Sequence, residues 1–386
     1  MGTLLFGVDL LIQQPGRLKE LRAAFVTNNA ATTHTGKSSR LALLENGFRI
    51  TKLFSPEHGL LALGEDGAGQ PDTTDPLTRL PVISLYGDHL QPAADELADT
   101  DVVLFDIPDA GCRFYTYLWT LTHVMEACAA AGKTLIVLDR PNPISGDLDK
   151  AEGPMLDEGH CSSFIGRWNI PVRHSCTMGE LANYFATTRV RNLQLEVISI
   201  KNWNRAQTAG EAGWLFIPTS PAITDTETAL LYPGMGLLEG INVNEGRGTP
   251  TPFKLFGAPW IQAEEMAAAF RDLLLPGING TACQYSPGSG IYAGEKCGGL
   301  KWTVTDSSAF RPVHTGLCLL QLVKKMYPGK ITERRYPTVA NPPGEGHLDR
   351  LTGVPDSFKK IESGELIKAG RETRNWKQTI RPFLLY

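Results

Sequence analysis

The chain has 386 residues, a net charge of −4 and a pI near 6.1, so it lacks the basic balance of a nucleic-acid-binding protein. Hydrophobic residues make up 42% and charged residues 20%, which excludes wholesale disorder and is enough for a sizeable core. No apolar run approaches the roughly 18 residues that a membrane-spanning helix needs, and the length suggests two domains.

Residues 1–12 are mildly apolar but contain Asp9 and lack a basic region and a small-residue cleavage site, so no signal peptide is expected. Residues 24–28 read as a first strand that runs into the polar stretch Asn28-Asn29-Ala30-Ala31. Residues 37–46 read as a helix stopped by Gly47, and residues 48–54 as a second strand followed at once by Ser55-Pro56-Glu57-His58-Gly59. A third strand is expected at 82–86, a short helix around 96–98 and a fourth strand at 101–106. A helix at 117–131 closed by Gly132 leads to a fifth strand at 134–138, which enters Asp139-Arg140-Pro141-Asn142-Pro143. Thr177 with Glu180 forms a capping box for a helix over 178–187, and 193–200 reads as another strand.

Strands that alternate with helices at this spacing argue for an α/β, Rossmann-like fold with a mostly parallel sheet. Beyond about residue 205 the alternation loosens, although 262–275 and 310–326 still read as helices. A first domain over 1–210 and a smaller α+β domain over 211–386 are therefore expected. The seven cysteines are scattered with no CxxC pair and are expected to be free, buried thiols.

Ligands of an open parallel sheet bind outside the carboxyl ends of its strands. The residues there are Asn28, Glu57, His58, Asp106, Asp109, Asp139, Arg140 and Asn142. No GxGxxG follows the first strand and no Walker sequence is present, so no nucleotide cofactor is expected. No GxSxG elbow exists, and Glu57 and His58 are adjacent rather than one helical turn apart, so no metal site is expected. Paired carboxylates remain: Glu57 with Glu65, and Asp106 with Asp109, the latter leading into Arg113-Phe114-Tyr115-Thr116-Tyr117. Two carboxyls on facing loops are what glycoside hydrolysis requires, and Tyr115, Tyr117 and Trp119 offer faces for a sugar ring.

As a set, these blocks resemble one family. They are Ser55-Pro56-Glu57-His58-Gly59, the segments 105–117 and 138–143, Tyr232-Pro233-Gly234, Glu239-Gly240-Ile241-Asn242, Glu245-Gly246-Arg247-Gly248-Thr249 and the ending His347-Leu348-Asp349-Arg350-Leu351-Thr352-Gly353. Taken in order over 7–386, they resemble the exo-β-N-acetylmuramidases of bacterial peptidoglycan turnover. The resemblance implies a Rossmann-like domain, a smaller second domain and an active site in the cleft between them. It also implies removal of a terminal N-acetylmuramic acid from the non-reducing end of peptidoglycan fragments by cleavage of a β-1,4 bond. It places Glu57 and Glu65 as the catalytic carboxylates, beside His58, Asn242, Glu245 and Arg247. A bidentate arginine suits the lactyl carboxylate of muramic acid, and Arg113, Arg140 and Arg247 are the candidates. Each could equally anchor a loop by pairing with Asp106, Asp139 or Glu245. The segment 232–259 is expected to supply the closed end of an exo-acting pocket. The competing readings are a muropeptide-binding protein without catalysis and a metal-dependent cell-wall deacetylase or amidase.

Overall fold

The apolar runs of the first half lie side by side in one sheet. The computed structural model describes residues 2–371 and 373–386. Its strands are β1 (Arg22–Thr27), β2 (Arg49–Ser55), β3 (Thr73–Thr74), β4 (Pro81–Ser84), β5 (Val102–Asp106), β6 (Thr134–Leu138), β7 (Glu152–Met155), β8 (Pro171–Arg173), β9 (Gln194–Ile198), β10 (Leu255–Ala258), β11 (Ile278–Tyr285) and β12 (Cys297–Val304). The main sheet has the order β3-β4-β2-β1-β5-β6-β9, and only the edge pair β3/β4 is antiparallel. β5 is buried along its whole length, as expected for a parallel strand covered on both faces.

Period-two alternation sends side chains to two separate hydrophobic clusters. Phe25, Leu104 and Ile136 are in register across β1, β5 and β6, and they pack on one face with Val8 and Leu11 of the helix Gly7–Gln13. Val26, Phe105 and Val137 face the other way, onto the helix Tyr117–Ala131. Gly132 ends that helix in a left-handed conformation (φ 64°). The capping box at Thr177 and Glu180 is formed and starts the helix Met178–Thr188.

The cluster on the Tyr117–Ala131 face continues without a break into the second half of the chain, through Leu231, Phe253, Trp302 and Leu319 to Trp376. There β10, β12 and β11 form an antiparallel sheet. A Cβ on Gly299 of β12 would lie 1.8 Å from the carbonyl oxygen of Phe256, so the contact between β10 and β12 requires glycine. The helices Thr226–Met235 and Pro312–Met326 likewise touch backbone to backbone, since a Cβ on Gly234 would lie 2.0 Å from the Pro312 oxygen. The end of the chain returns to the first half: Trp376 Nε1 donates to the His174 carbonyl (2.9 Å) and the Tyr386 hydroxyl donates to Asp139 (2.8 Å).

Several expected elements differ. Residues 94–99 are turns rather than a helix, with the Glu96 carboxylate accepting from the Ala93 amide at 2.7 Å. The helix expected over 262–275 is Ala263–Arg271, because Leu274 turns left-handed (φ 52°) ahead of Pro276. β11 and β12 went unread because glycines interrupt their alternation. All seven cysteines are free. Among the described residues no helix is long and apolar enough to cross a membrane.

Candidate active site

The main sheet changes direction at β1, whose neighbours β2 and β5 lead to opposite edges. In a doubly wound fold that switch point is the usual ligand crevice. Here it is filled. Asp106 at the end of β5 forms a fully buried two-point ion pair with Arg140, one arm being Nη2 to Oδ2 at 3.0 Å. Arg140 Nη2 also donates to the Thr32 carbonyl (2.6 Å) and Ser39 Oγ (3.1 Å). Only about 40 Å3 is left beside the pair, room for no more than a few water molecules.

A larger cavity, about 260 Å3, opens beyond the carboxyl ends of β2, β4 and β5. After β2 the chain turns through Ser55-Pro56-Glu57-His58-Gly59, with His58 (φ 66°) and Gly59 (φ 70°) both left-handed. This turn brings Glu57 and His58 to the same cavity although they are adjacent. His58 Nδ1 lies 2.8 Å from the Gly64 carbonyl, and Asp66 enters the cavity at the end of that loop. Tyr86 after β4 and Phe114, Tyr115 and Thr116 after β5 add to the wall.

The second half of the chain closes the other side with Tyr232, Glu239, Arg247 and Phe253, then Tyr336, Asn341, His347 and Arg350. The expected wall from 232–259 therefore contributes to the cavity. Arg247 sits between Gly246 (φ 84°) and Gly248 (φ 77°), and a Cβ on Gly248 would lie 2.4 Å from the Ser289 oxygen. That tight loop lays the guanidinium over the Phe253 ring (5.1 Å) and beside Glu239 (2.8 Å), Asp66 (3.4 Å) and Glu245 (3.5 Å).

Two of the three carboxyls at the cavity, Glu57 and Asp66, have opposite electrostatics. Glu57 is buried, and burial, with the Asp66 charge second, pushes its pKa up. Its oxygens accept from the Gly67 amide (2.9 Å) and the Thr116 hydroxyl (2.7 Å), which moderate the rise. Desolvation at the cavity would also raise Asp66, whose side chain is 31% exposed, but the Arg247 charge and the Tyr336 hydroxyl (2.6 Å) outweigh it and hold that carboxyl below the usual range. Glu239 is raised to about 8, first by burial and then by the crowding of Asp66 and Glu245 around the same arginine. The surroundings thus favour the protonated form of Glu57 and the anionic form of Asp66. Environments that push two carboxyls apart in this way assign an acid and its charged partner.

Of the residues singled out from sequence, Glu57, His58, Tyr115 and Arg247 line this cavity. The others lie elsewhere. Glu65 is exposed and lines none of it; Asp66, one residue on, occupies the place expected of Glu65. Arg113 is fully buried and bonds only to carbonyls, those of Pro154 (2.8 Å), Ile170 (2.9 Å) and Leu351 (2.8 Å). Asp106 and Arg140 neutralise each other, as the loop-anchoring alternative had it. Asp109 lies 3.1 Å from the buried His174 ring. Asp139 accepts from Thr177 (2.7 Å), the Gly179 amide (2.8 Å) and Tyr386, and burial raises it to about 6.

The remaining candidates make hydrogen bonds or ion pairs within the protein. Asn142 ties the Cys176 carbonyl (2.9 Å) to the Ile144 amide (3.0 Å), and Asn242 ties Lys330 (2.9 Å) to Thr332 (2.7 Å). Asn28 is buried and accepts from the Ala30 amide (3.1 Å). The Tyr117 hydroxyl donates to the Thr219 carbonyl (2.6 Å), while Tyr115 donates to the Thr219 hydroxyl (2.7 Å). Glu245 stands behind Arg247, shared with Arg334 at 3.2 Å. Sequence reasoning missed Asp66, Glu239, Tyr336, His347 and Arg350, although Glu239, His347 and Arg350 all fall in quoted motif blocks.

A metal ion has one geometric opening. Glu57, His58 and Asp66 each offer a ligand atom, and these atoms lie within 4.8 Å of one another. The expectation that adjacency keeps Glu57 and His58 from sharing a site holds for a helix, not for this left-handed turn.

Comparisons with known proteins agree over the whole chain. Residues 23–227 match the family model described as the N-terminal part of exo-β-N-acetylmuramidase NamZ, and residues 230–386 match its C-terminal part. The chain is 35% identical over 387 residues to the peptidoglycan β-N-acetylmuramidase NamZ of Bacillus subtilis (strain 168), covering 98% of this chain and 91% of that one. Its fold is similar to crystal structures of two DUF1343 family proteins from Bacteroides fragilis. One is 28% identical with a TM-score of 0.89, the other 26% identical with a TM-score of 0.75, and each comparison covers 100% of this chain and 99% of the other.

Proposed function

Because the chain belongs to the family of the exo-β-N-acetylmuramidase NamZ, we infer that the cavity holding Glu57 and Asp66 is where it hydrolyses peptidoglycan. The protein is a glycoside hydrolase that releases terminal β-1,4-linked N-acetylmuramic acid from the non-reducing end. The observation that carries the site assignment is the opposed ionisation of two carboxyls at one cavity of about 260 Å3. That volume suits a single sugar unit rather than a threaded glycan, in keeping with exo action. Residues 1–210 act as the catalytic body on this reading, and 211–386 as the body that closes the pocket.

Glu57 is the general acid. Its proton goes to the glycosidic oxygen as the bond to the anomeric carbon breaks, and the Gly67 amide and Thr116 hydroxyl fix the carboxyl orientation meanwhile. Asp66, held anionic by Arg247 and Tyr336, bonds to the anomeric carbon as the glycosidic bond breaks; water then displaces it, giving its oxygen to the released sugar and a proton back to Glu57. The nearest oxygens of Glu57 and Asp66 are within 4.8 Å. Inverting glycosidases separate their carboxyls by about 6.5–9.5 Å to admit a water, and retaining ones by about 5–5.5 Å. The short spacing favours retention.

The test is chromophore release from a β-linked N-acetylmuramic acid aryl glycoside beside its N-acetylglucosamine analogue, with the first-formed anomer read by proton NMR. Turnover of the muramic compound to its β-anomer supports the reading. First-formed α-anomer would overturn the retaining assignment, and unchanged turnover in Glu57→Gln would overturn the acid.

A further inference from the structure

Three polar groups on one side of the cavity have no hydrogen-bond partner among the described residues, although each is shielded from solvent: Asn341 Nδ2, His347 Nε2 and Arg350 Nη1. All three residues line the cavity. A buried donor left unpaired carries a penalty of about 1–3 kcal/mol, and more when it is charged. Each such group in a native structure calls for an explanation, such as a water, an ion or a ligand that completes it. These three atoms lie out of reach of water, so the part of the 341–350 stretch that meets the cavity is the rest of the Arg350 fork, whose Nε and Nη2 also make no bond to a described residue.

The other arginines near the cavity already have their terminal nitrogens committed within the protein. Arg247 is shared among Asp66, Glu239 and Glu245, and Arg334 pairs with Glu245. Arg113 spends both terminal nitrogens on three carbonyls, with only its buried Nε unpartnered, and Arg140 pairs with Asp106. Arg350 alone of these five makes no ion pair or side-chain hydrogen bond with a described residue. His347 is fixed beside it by stacking on Tyr336, with ring centroids 4.5 Å apart and planes 9° from parallel.

We propose that Arg350, with Asn341 and His347, is the subsite that reads the carboxylate of the lactyl ether on the muramic acid ring. The proposal rests on the muramidase reading and names which residues give it selectivity. The ligand class is a small carboxylate carried on an N-acetylated sugar, for which a guanidinium with flanking neutral donors is the fitting partner. Arg113 acquires a role here as a positioning residue. Its Nη2 donates to the Leu351 carbonyl, so it clamps the peptide immediately after Arg350 to the β7/β8 region. An arginine in the 113 block therefore serves the subsite without touching the sugar.

The experiment compares wild type, Arg350→Gln and Asn341→Asp on the N-acetylmuramic acid aryl glycoside and on its lactyl methylamide. A charged hydrogen bond of the usual strength predicts a loss of roughly 10- to 100-fold in kcat/KM for Arg350→Gln on the carboxylate substrate, mostly through KM. On the methylamide the same variant is close to wild type, so the carboxylate preference collapses toward unity. Asn341→Asp, on a partly exposed turn, sets a like charge against the ligand and lowers the preference without disturbing the core.

An Arg350→Gln variant that keeps the wild-type preference, or loses equally on both substrates, overturns the subsite. Calorimetry with free N-acetylmuramic acid and its methylamide separates this outcome from failure of the hydrolase reading. Selective binding without turnover keeps the subsite and sinks the chemistry; turnover without selectivity does the reverse.

Discussion

Tyr336 and Asp66 are 270 residues apart in the chain and 2.6 Å apart in space, the phenol donating to the carboxylate. With Arg247 it keeps the Asp66 pKa below the ordinary carboxylate range against the opposing effect of burial. Because Asp66 must be ionised to act, activity falls as pH drops through its folded-state pKa. Tyr336→Phe removes one stabiliser of the anion, so that pKa rises and the acid limb of kcat/KM moves to higher pH. The pH profile of the variant checks this directly, and an unmoved acid limb would mean that Asp66 does not set it.

Glu57 governs the opposite limb. A general acid works only while protonated, so activity is full below its folded-state pKa and is lost as pH rises through it. Burial and the Asp66 charge raise that pKa, while the Thr116 and Gly67 donors pull it back. Thr116→Val deletes one of those donors. The alkaline limb should then shift upward, with a modest fall in kcat as the carboxyl loses its fixed orientation. Glu57→Gln cannot supply a proton and should lose about 10²–10⁴-fold in kcat. In that variant the alkaline limb should vanish from any residual rate.

The pattern of what could be read from the chain follows from range. β5, the helix Tyr117–Ala131 and β6 are local features: two unbroken apolar runs around a helix ended by glycine. Glu57 and His58 were visible because they end a strand in a parallel sheet, where sites gather. That Asp66 rather than Glu65 lines the cavity could not be read, since the register of a turn depends on which amide, here that of Gly67, meets Glu57. Tyr336, His347 and Arg350 reach the cavity only through tertiary packing, which a single sequence does not display. Arg113, Arg140 and Asp139 turn inward, which the sequence does not reveal, because a charged side chain in a motif looks the same whether it meets a ligand or a buried carbonyl. Their burial became apparent only with the neighbours in place.

The pair Arg140–Asp106 yields a stability prediction separate from chemistry. Both side chains are almost wholly shielded, and the pair occupies the crevice where a nucleotide would otherwise bind. Arg140→Met leaves the Asp106 charge buried without its partner, which costs about 3–5 kcal/mol. Adding Asp106→Asn removes the orphan charge and should recover much of that loss. Thermal melts of the wild type, the single variant and the double variant check the order. The folded fraction of each should retain wild-type kcat, since neither residue lines the catalytic cavity. A loss of kcat in fully folded double variant would instead put the pair in the reaction.

The trio Glu57, His58 and Asp66 makes a prediction about metals, because its donor atoms lie close enough to bind one. The proposed chemistry needs Glu57 protonated, with its oxygens committed to Gly67 and Thr116. A divalent cation would compete for the same carboxyl and displace its proton. Chelator should therefore leave activity unchanged, while added Zn2+ should inhibit more strongly as pH rises and the Glu57 proton becomes easier to displace. Initial rates across a zinc and pH series read both effects. Loss of activity in chelator with recovery on adding metal would reverse the assignment: Glu57 would then be a ligand, and the acid would have to come from elsewhere at the cavity, with Glu239, raised to about 8, the remaining protonated carboxyl.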